Sequence, residues 1–172
     1  MKRILSITVF LCSIFAMAQV STTRLNDFKL GMKKSELEKI IGKKIPLKMN
    51  EYGGVDSPSQ LVYKGIVYEV NFNSMYDENG NDLKDFSVYT VESNDKTLKT
   101  LSGIGIGNSL YDILEKYKDN NIEISDSWDD NGNRTKTQRY FIINDYDAGS
   151  FLRITLKNGK VTSFYVGYNE GC

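Results

Sequence analysis

Histidine is missing from this sequence altogether, and its absence removes whole classes of chemistry. With no imidazole to serve as general base, histidine dyads and Ser-His-Asp triads are excluded. Zinc sites fail for the same reason and because the chain has only two cysteines, Cys12 and Cys172. Charge of one sign is missing too. The formal net charge is zero, no basic patch suggests nucleic acid, and no run of like charge suggests a tail. What is present is ordinary for a globular protein: 40% apolar and 26% charged residues, too apolar for disorder, in a chain of 172 residues that suits one compact domain or two small units sharing a core.

One apolar run stands out. Lys2 and Arg3 precede the apolar stretch Ile4 to Met17, and Ala16-Met17-Ala18 places small residues at the −3 and −1 positions of a cleavage site. Residues 1–18 read as a secretory signal peptide, giving an exported protein, periplasmic or extracellular, that starts near Gln19. The run is shorter than the roughly 20 apolar residues that span a bilayer, so no stable membrane span is expected after its removal. A lipid-modified cysteine needs a small residue before it, and Leu11 precedes Cys12. Cys172 alone then remains. It cannot form an internal disulfide; it either links two chains in a dimer or is incidental.

The rest of the chain is organised around Gly103 to Lys118, GIGIGNSLYDILEKYK. Ser109 and Asp112 form an S-x-x-D capping box, and Leu110, Ile113, Leu114 and Tyr117 fall at i, i+3, i+4 and i+7 on one helical face. The same plan occurs earlier in Phe28 to Gly42, FKLGMKKSELEKIIG, where Gly31 matches Gly107, Glu36 matches Asp112, Leu37 matches Ile113 and Ile41 matches Tyr117. Lys33 stands where the capping Ser109 stands, so the first helix, about Lys33 to Ile41, lacks its cap; Gly42 suits its C-terminus.

Each helix is followed by strand patterns. In the first unit these are a short strand at Pro46 to Met49, then Leu61 to Tyr63, Ile66 to Phe72 and Phe86 to Val91. In the second they are Ile122 to Ser125, Gln138 to Ile143, and a hairpin of Phe151 to Leu156 with Val161 to Tyr168 through Asn158-Gly159. The expected fold class is α+β, with two tandem units, each a short helical segment packed on an antiparallel meander of three to four strands. The expected boundaries are 1–18 for the signal peptide, 19–92 for the first unit with a polar leader at 19–27, 93–99 for a linker, and 100–172 for the second unit.

Three stretches, Lys29-Leu30-Gly31 to Gly42, Ile106-Gly107 to Tyr117, and Leu152 to Val166, carry a resemblance. The single unit resembles the small α+β unit of the BamE/SmpA outer-membrane assembly lipoproteins, and the tandem pair resembles the β-lactamase inhibitory protein fold. The chain departs from the pattern in its uncapped first helix, in an insertion in the last hairpin of the first unit, and in lacking the disulfides usual for inhibitor-type proteins. The resemblance implies two helix-plus-sheet units side by side, their sheets forming a broad protein-binding face.

No catalytic constellation emerges. Gly103-Ile-Gly-Ile-Gly107 lacks both the P-loop Lys-Ser/Thr and the G-x-G-x-x-G spacing. The acidic loops Asp77 to Asp82 and Asp126 to Asn133 fail as calcium loops. With Gly80 or Gly132 sixth, the first and twelfth positions are Met75 and Phe86, or Ser127 and Gln138. No cofactor or metal is called for, and the chain is read as non-enzymatic. Aromatic excess is more informative: 12% of residues, with 11 tyrosines and one tryptophan. Strand parity sets Tyr89, Phe141, Arg139, Arg153 and Tyr165 on the side away from the helices, with Trp128 at its border. Exposed Tyr, Trp and Arg make up protein-binding hot spots. The function expected is a protein-binding or scaffold module acting on another protein through its sheet face, or alternatively a secreted proteinaceous inhibitor of a hydrolase; the other reading of these six residues is that they hold the two units together.

Overall fold

The computed structural model describes residues 20–51, 54–56, 58–129 and 131–169; the signal-like segment, Cys12 and Cys172 lie outside them. Strands dominate. In chain order they are β1 (Val20–Ser21), β2 (Arg24–Leu25), β3 (Phe28–Lys29), then helix α1 (Lys34–Ile41), β4 (Ser59–Tyr63), β5 (Ile66–Tyr76), β6 (Asp82–Ser93), helix α2 (Leu110–Tyr117), β7 (Ile122–Trp128), β8 (Arg134–Asp145), β9 (Ser150–Lys157) and β10 (Lys160–Tyr168). Seven of them form one antiparallel sheet in the order β4-β5-β6-β10-β9-β8-β7, and β1-β2-β3 form a small second sheet.

The α+β expectation of two helix-packed units is therefore overturned: the protein is mostly β. Three causes can be named. Each helix has only eight residues, about two turns. The long strands continue through polar residues, as in Asn73 to Tyr76 of β5 and Arg134 to Gln138 of β8, where a neighbouring strand rather than apolar alternation holds them extended. Finally, β6 and β10 pair with each other through Phe164↔Ser93, Tyr165↔Glu92, Val166↔Val91 and Gly167↔Thr90, which joins the two meanders into one sheet.

A single hydrophobic cluster serves both halves. Leu37 of α1 and Ile113 of α2 meet Val70, Val91, Ile154, Phe164 and Val166 from the sheet. The stretch expected as a polar leader is also built in, since Val20 and Leu25 are buried and Phe28 stacks on Tyr68 at 4.1 Å between centroids. Residues 93–99 pack as well: Leu98 is fully buried, and the Val20 N–H donates to the Lys99 carbonyl.

The repeat has a backbone counterpart. Gly31 N–H donates to the Val88 carbonyl (2.8 Å), and Val88 N–H donates to the Met32 carbonyl (2.9 Å). In the second half Gly107 N–H donates to the Val161 carbonyl (3.0 Å), and Val161 N–H donates to the Asn108 carbonyl (2.9 Å). Each glycine turn is thus clipped to the last strand of its own half, and each helix is delivered onto the same face of the sheet. Both turns need positive φ, +73° at Gly31 and +93° at Gly107. Behind Gly31 there is also no room, because a Cβ there would stand 2.8 Å from the Tyr168 hydroxyl.

The two helices are held differently. In α2 the capping box is complete: Asp112 N–H donates to Ser109 Oγ, and Ser109 N–H donates to Asp112 Oδ2. Helix α1 has no side-chain cap at Lys33, and Gly42 closes it in the left-handed conformation by donating to the Glu38 carbonyl. Glu38 ties the helix down instead. Its buried carboxylate accepts from the Ile45 backbone N–H (2.9 Å) and pairs with Lys34 (2.6 Å) and Lys44 (2.9 Å). These contacts, the Ile45 N–H foremost, lower its pKa from 4.5 to about 2.

Two outcomes follow. Gly107→Ala, with open space around it, should lower stability by about 1–2 kcal/mol for the left-handed backbone alone, and Gly31→Ala should lower it more because of Tyr168; urea unfolding measures both, and equal losses would mean the Tyr168 contact is soft. Because the folded pKa of Glu38 lies below its unfolded value, its stabilisation is complete above about pH 4.5 and is lost as pH falls toward 2. Urea midpoints across that range should therefore fall less steeply with acid in Glu38→Gln, which starts from lower stability at pH 7.

Candidate functional site

With both helices and the small sheet on one face, the other face of the seven-stranded sheet carries no covering element among the described residues. The pairing registers place one residue from every strand in a single row across that face: Gln60, Glu69, Glu92, Tyr165, Arg153, Ile142 and Glu123, from β4, β5, β6, β10, β9, β8 and β7. The row is central because the Tyr165↔Glu92 pair joins the two halves.

Arg153 packs against the aromatic side chains beside it, while its buried Nε has no hydrogen-bond partner among the described residues. Its guanidinium lies 4.0 Å from the Tyr165 ring centroid and 4.8 Å from that of Tyr140, and its Nη2 stands 3.9 Å from Glu92 Oε2. Stacking of a guanidinium on tyrosine faces adds cation–π attraction to the ion pair. Phe151 stacks on the far side of Tyr165 at 5.8 Å. Ser163 Oγ donates to Glu92 Oε1 (2.9 Å), which fixes the carboxylate from the other side. Beside this group, Gln138 Nε2 donates to Ser127 Oγ (2.8 Å), and Ser127 Oγ lies 3.1 Å from the Tyr140 hydroxyl. Between these groups the sheet face is hollowed by a cavity of about 590 Å³ to which six of its seven strands contribute.

The six residues singled out in the sequence do not form one surface. Arg153 and Tyr165 meet as described. Phe141 is a correction: it opposes Ile154 in register and is 0% exposed, a core residue under the helices. Arg139 opposes Leu156, hence faces the same way as Phe141, and it closes the base of the β7–β8 hairpin. There it pairs with Asp126 at 3.0 Å and donates to the Thr135 and Gln138 carbonyls, while Arg134 takes the other oxygen of Asp126. Tyr89 is displaced by a bulge. Thr90 pairs with Asn71 and Val88 with Phe72, which leaves Tyr89 as the extra residue, and its ring packs on Tyr168, on the helix-bearing side, at 5.8 Å. Trp128 is 63% exposed at the end of β7, next to the loop Asp129 to Asn133. That loop is an Asx turn, with Asp129 Oδ1 accepting from the Asn131 and Asn133 N–H groups, and Asp77 closes the Asp77 to Asn81 loop in the same way.

Sequence reasoning missed Glu69, Glu92 and Tyr140. Alternation already placed Glu69 on the polar face of β5, and Tyr140 shares parity with Gln138 and Ile142; what was missing was the β6–β10 pairing that brings them together. A second hollow, about 740 Å³, lies between the end of α2 and the β8–β9 turn, with Val20 and Leu152 in its wall and Leu101 and Tyr146 exposed at its rim. Among the described residues no cluster of three or more His, Cys, Asp or Glu suits a metal ion, and no helix is long and apolar enough to cross a membrane. Comparison of the chain with protein-family models, with curated proteins and with solved structures finds no match.

The positions of these residues separate core from surface. Phe141→Ala should cost about 3–5 kcal/mol of stability, whereas Trp128→Ala should change it by less than about 0.5 kcal/mol. Urea unfolding of the two variants checks this, and a stable Phe141→Ala protein would mean the β8 register is wrong.

Proposed function

We propose that this protein is an exported, non-enzymatic binding module that acts on another protein through the helix-free face of its sheet. The observation that carries the reading is the hollowed row around Arg153. A guanidinium stacked between two tyrosines, beside a fixed carboxylate and Phe151, is the composition of protein-recognition surfaces. Its rigid aromatic and Arg side chains lose little entropy on contact. Export rests on the signal-like residues 1–18. The BamE/SmpA-like and β-lactamase inhibitory protein resemblance points the same way, toward a sheet face that meets a protein.

A second reading, a secreted inhibitor of a hydrolase, is favoured by one specific feature. Trp128 stands exposed beside a loop stiffened by Asp129, the form of an aromatic that inserts into a partner's cleft. Photo-cross-linking separates these cases. A cross-linker at Val67, on the open face, should capture a partner protein from the envelope and secreted fractions of the source cells. One at Tyr111, exposed on α2, should not. Capture from position 128 alone favours the inhibitor, and equal capture from position 111 overturns the face.

A further inference from the structure

The charges of the hollow are unbalanced, and the imbalance specifies what enters it. Its charged lining consists of two carboxylates, Glu69 and Glu92, and one guanidinium, Arg153. Glu69 and Glu92 oppose each other directly in the β5–β6 register. Side chains so placed have Cβ atoms about 4.5–5.5 Å apart, and like charges there repel. Glu92 is partly compensated, by Ser163 at 2.9 Å and Arg153 at 3.9 Å. Arg153 is in turn stacked on Tyr140 and Tyr165, and its buried Nε has no hydrogen-bond partner among the described residues, so it suits a main-chain carbonyl of an incoming segment. Glu69 is exposed and has neither a hydrogen bond nor an ion pair among the described residues.

From this we infer that the hollow receives a lysine or arginine side chain carried on an extended segment of a partner protein, with Glu69 as its counter-ion. The inference rests on the protein-binding reading above and adds the chemistry of the occupant. An acidic segment or a phosphate would meet two carboxylates. A neutral segment would leave Glu69 unpaired beside Glu92 in a partly desolvated site, where an unpaired charge is costly. A bare cation would leave most of a cavity of about 590 Å³ unfilled. The hydroxyl and amide groups of Gln60, Thr155 and Ser163 around the hollow supply partners for the polar main chain of such a segment.

The test uses three blocked pentapeptides that differ only at a central lysine, glutamine or glutamate flanked by valine and threonine, together with butylammonium ion, each titrated into the isotope-labelled mature chain and followed by amide chemical shifts. The lysine peptide should produce saturable shifts at Glu69, Glu92, Arg153 and Tyr165. It should bind roughly three- to fivefold tighter than the glutamine peptide, weaken with added salt, and lose that advantage in Glu69→Gln. This variant relieves a like-charge pair, so its fold is not at risk. Equal binding of the lysine and glutamine peptides on this face would overturn the cationic occupant and leave the protein-binding reading standing. Shifts from butylammonium as strong as those from the lysine peptide would overturn the protein segment in favour of a small amine. Absence of shifts with every peptide, while the cross-linker at Val67 still captures a partner, would overturn this inference alone. Absence of both would overturn the reading beneath it.

Discussion

The peptide groups of Val88 and Val161 are the hinge points on which the architecture depends. Each gives its carbonyl to the N–H of a glycine and its N–H to the carbonyl of the next residue, Gly31 and Met32 in one half, Gly107 and Asn108 in the other. These bonds begin where the central strand pair runs out: the β6–β10 register ends with Thr90↔Gly167 on one side of Val88 and with Phe164↔Ser93 on the side of Val161. Without the glycine turns, backbone groups in the middle of the sheet would have no partner, which a buried ladder does not tolerate. The turns also decide which face is covered. Each leads at once into an eight-residue helix whose buried apolar residue, Leu37 or Ile113, joins the common core. Both helices fall on one side, and the other side is left open.

The two halves correspond residue by residue through these clips. With Val88 set against Val161, the bulge residue Tyr89 falls on the bulge residue Thr162, Val70 on Ile154, Leu61 on Ile143, and the Phe72 that opposes Val88 on the Leu156 that opposes Val161. Most of the core face obeys the correspondence apolar for apolar, with Ser93 against Val166 and Ser59 against Phe141 as exceptions. A quasi-two-fold axis passes through the Tyr165↔Glu92 pair, where the halves meet. The β2–β3 hairpin is matched in the second half only by the antiparallel bridge Lys99↔Gly105 ahead of its glycine turn, and β7 has no paired strand as counterpart among the described residues of the first half, where the Met49↔Val55 bridge occurs instead.

What the sequence made legible was local. The S-x-x-D box, the apolar face of α2, the glycine turns, the missing cap at Lys33 and the Asn158-Gly159 hairpin are signals written within a few residues, and each appears in the structure near its expected place. What was not legible was long-range or hidden in a slip of one residue. The β6–β10 pairing joins residues about seventy positions apart, and no periodicity announces it; without it the chain reads as two helix-plus-meander units rather than as one sheet. Strands of two residues, such as β1 and β2, are too short to show a period at all. The bulge at Tyr89 shifts parity midway along β6, so that counting alternately from Phe86 and Val88 puts Tyr89 and Val91 on the face away from the helices, whereas Val91 is buried in the core and Tyr89 packs on the helix-bearing side. Phe141 was misplaced for a simpler reason: β8 has apolar residues of both parities, and parity alone did not say which set the helices cover.

The open face differs from the core in how the correspondence behaves. At the equivalent row positions Gln60 stands against Ile142, Glu69 against Arg153 and Glu92 against Tyr165. Each pair changes polarity or charge, while most core positions one residue away along the same strands stay apolar, as in Leu61 against Ile143 and Val91 against Phe164. A scaffold with near two-fold symmetry therefore carries a surface with none: acidic over β5 and β6, aromatic and cationic over β10, β9 and β8. Packing explains the conserved half of this pattern, since volume-matched apolar residues are what a shared core requires. Packing does not explain the other half, because an uncovered sheet face accepts nearly any polar residue, and a like-charge pair such as Glu69 and Glu92 is among the less stable choices available there. Stability alone would place a lysine or a threonine opposite Glu92. The arrangement is intelligible if the face is shaped by what it contacts, with the exposed carboxylate of Glu69 and the buried Nε of Arg153 both left without a partner among the described residues in the same hollow.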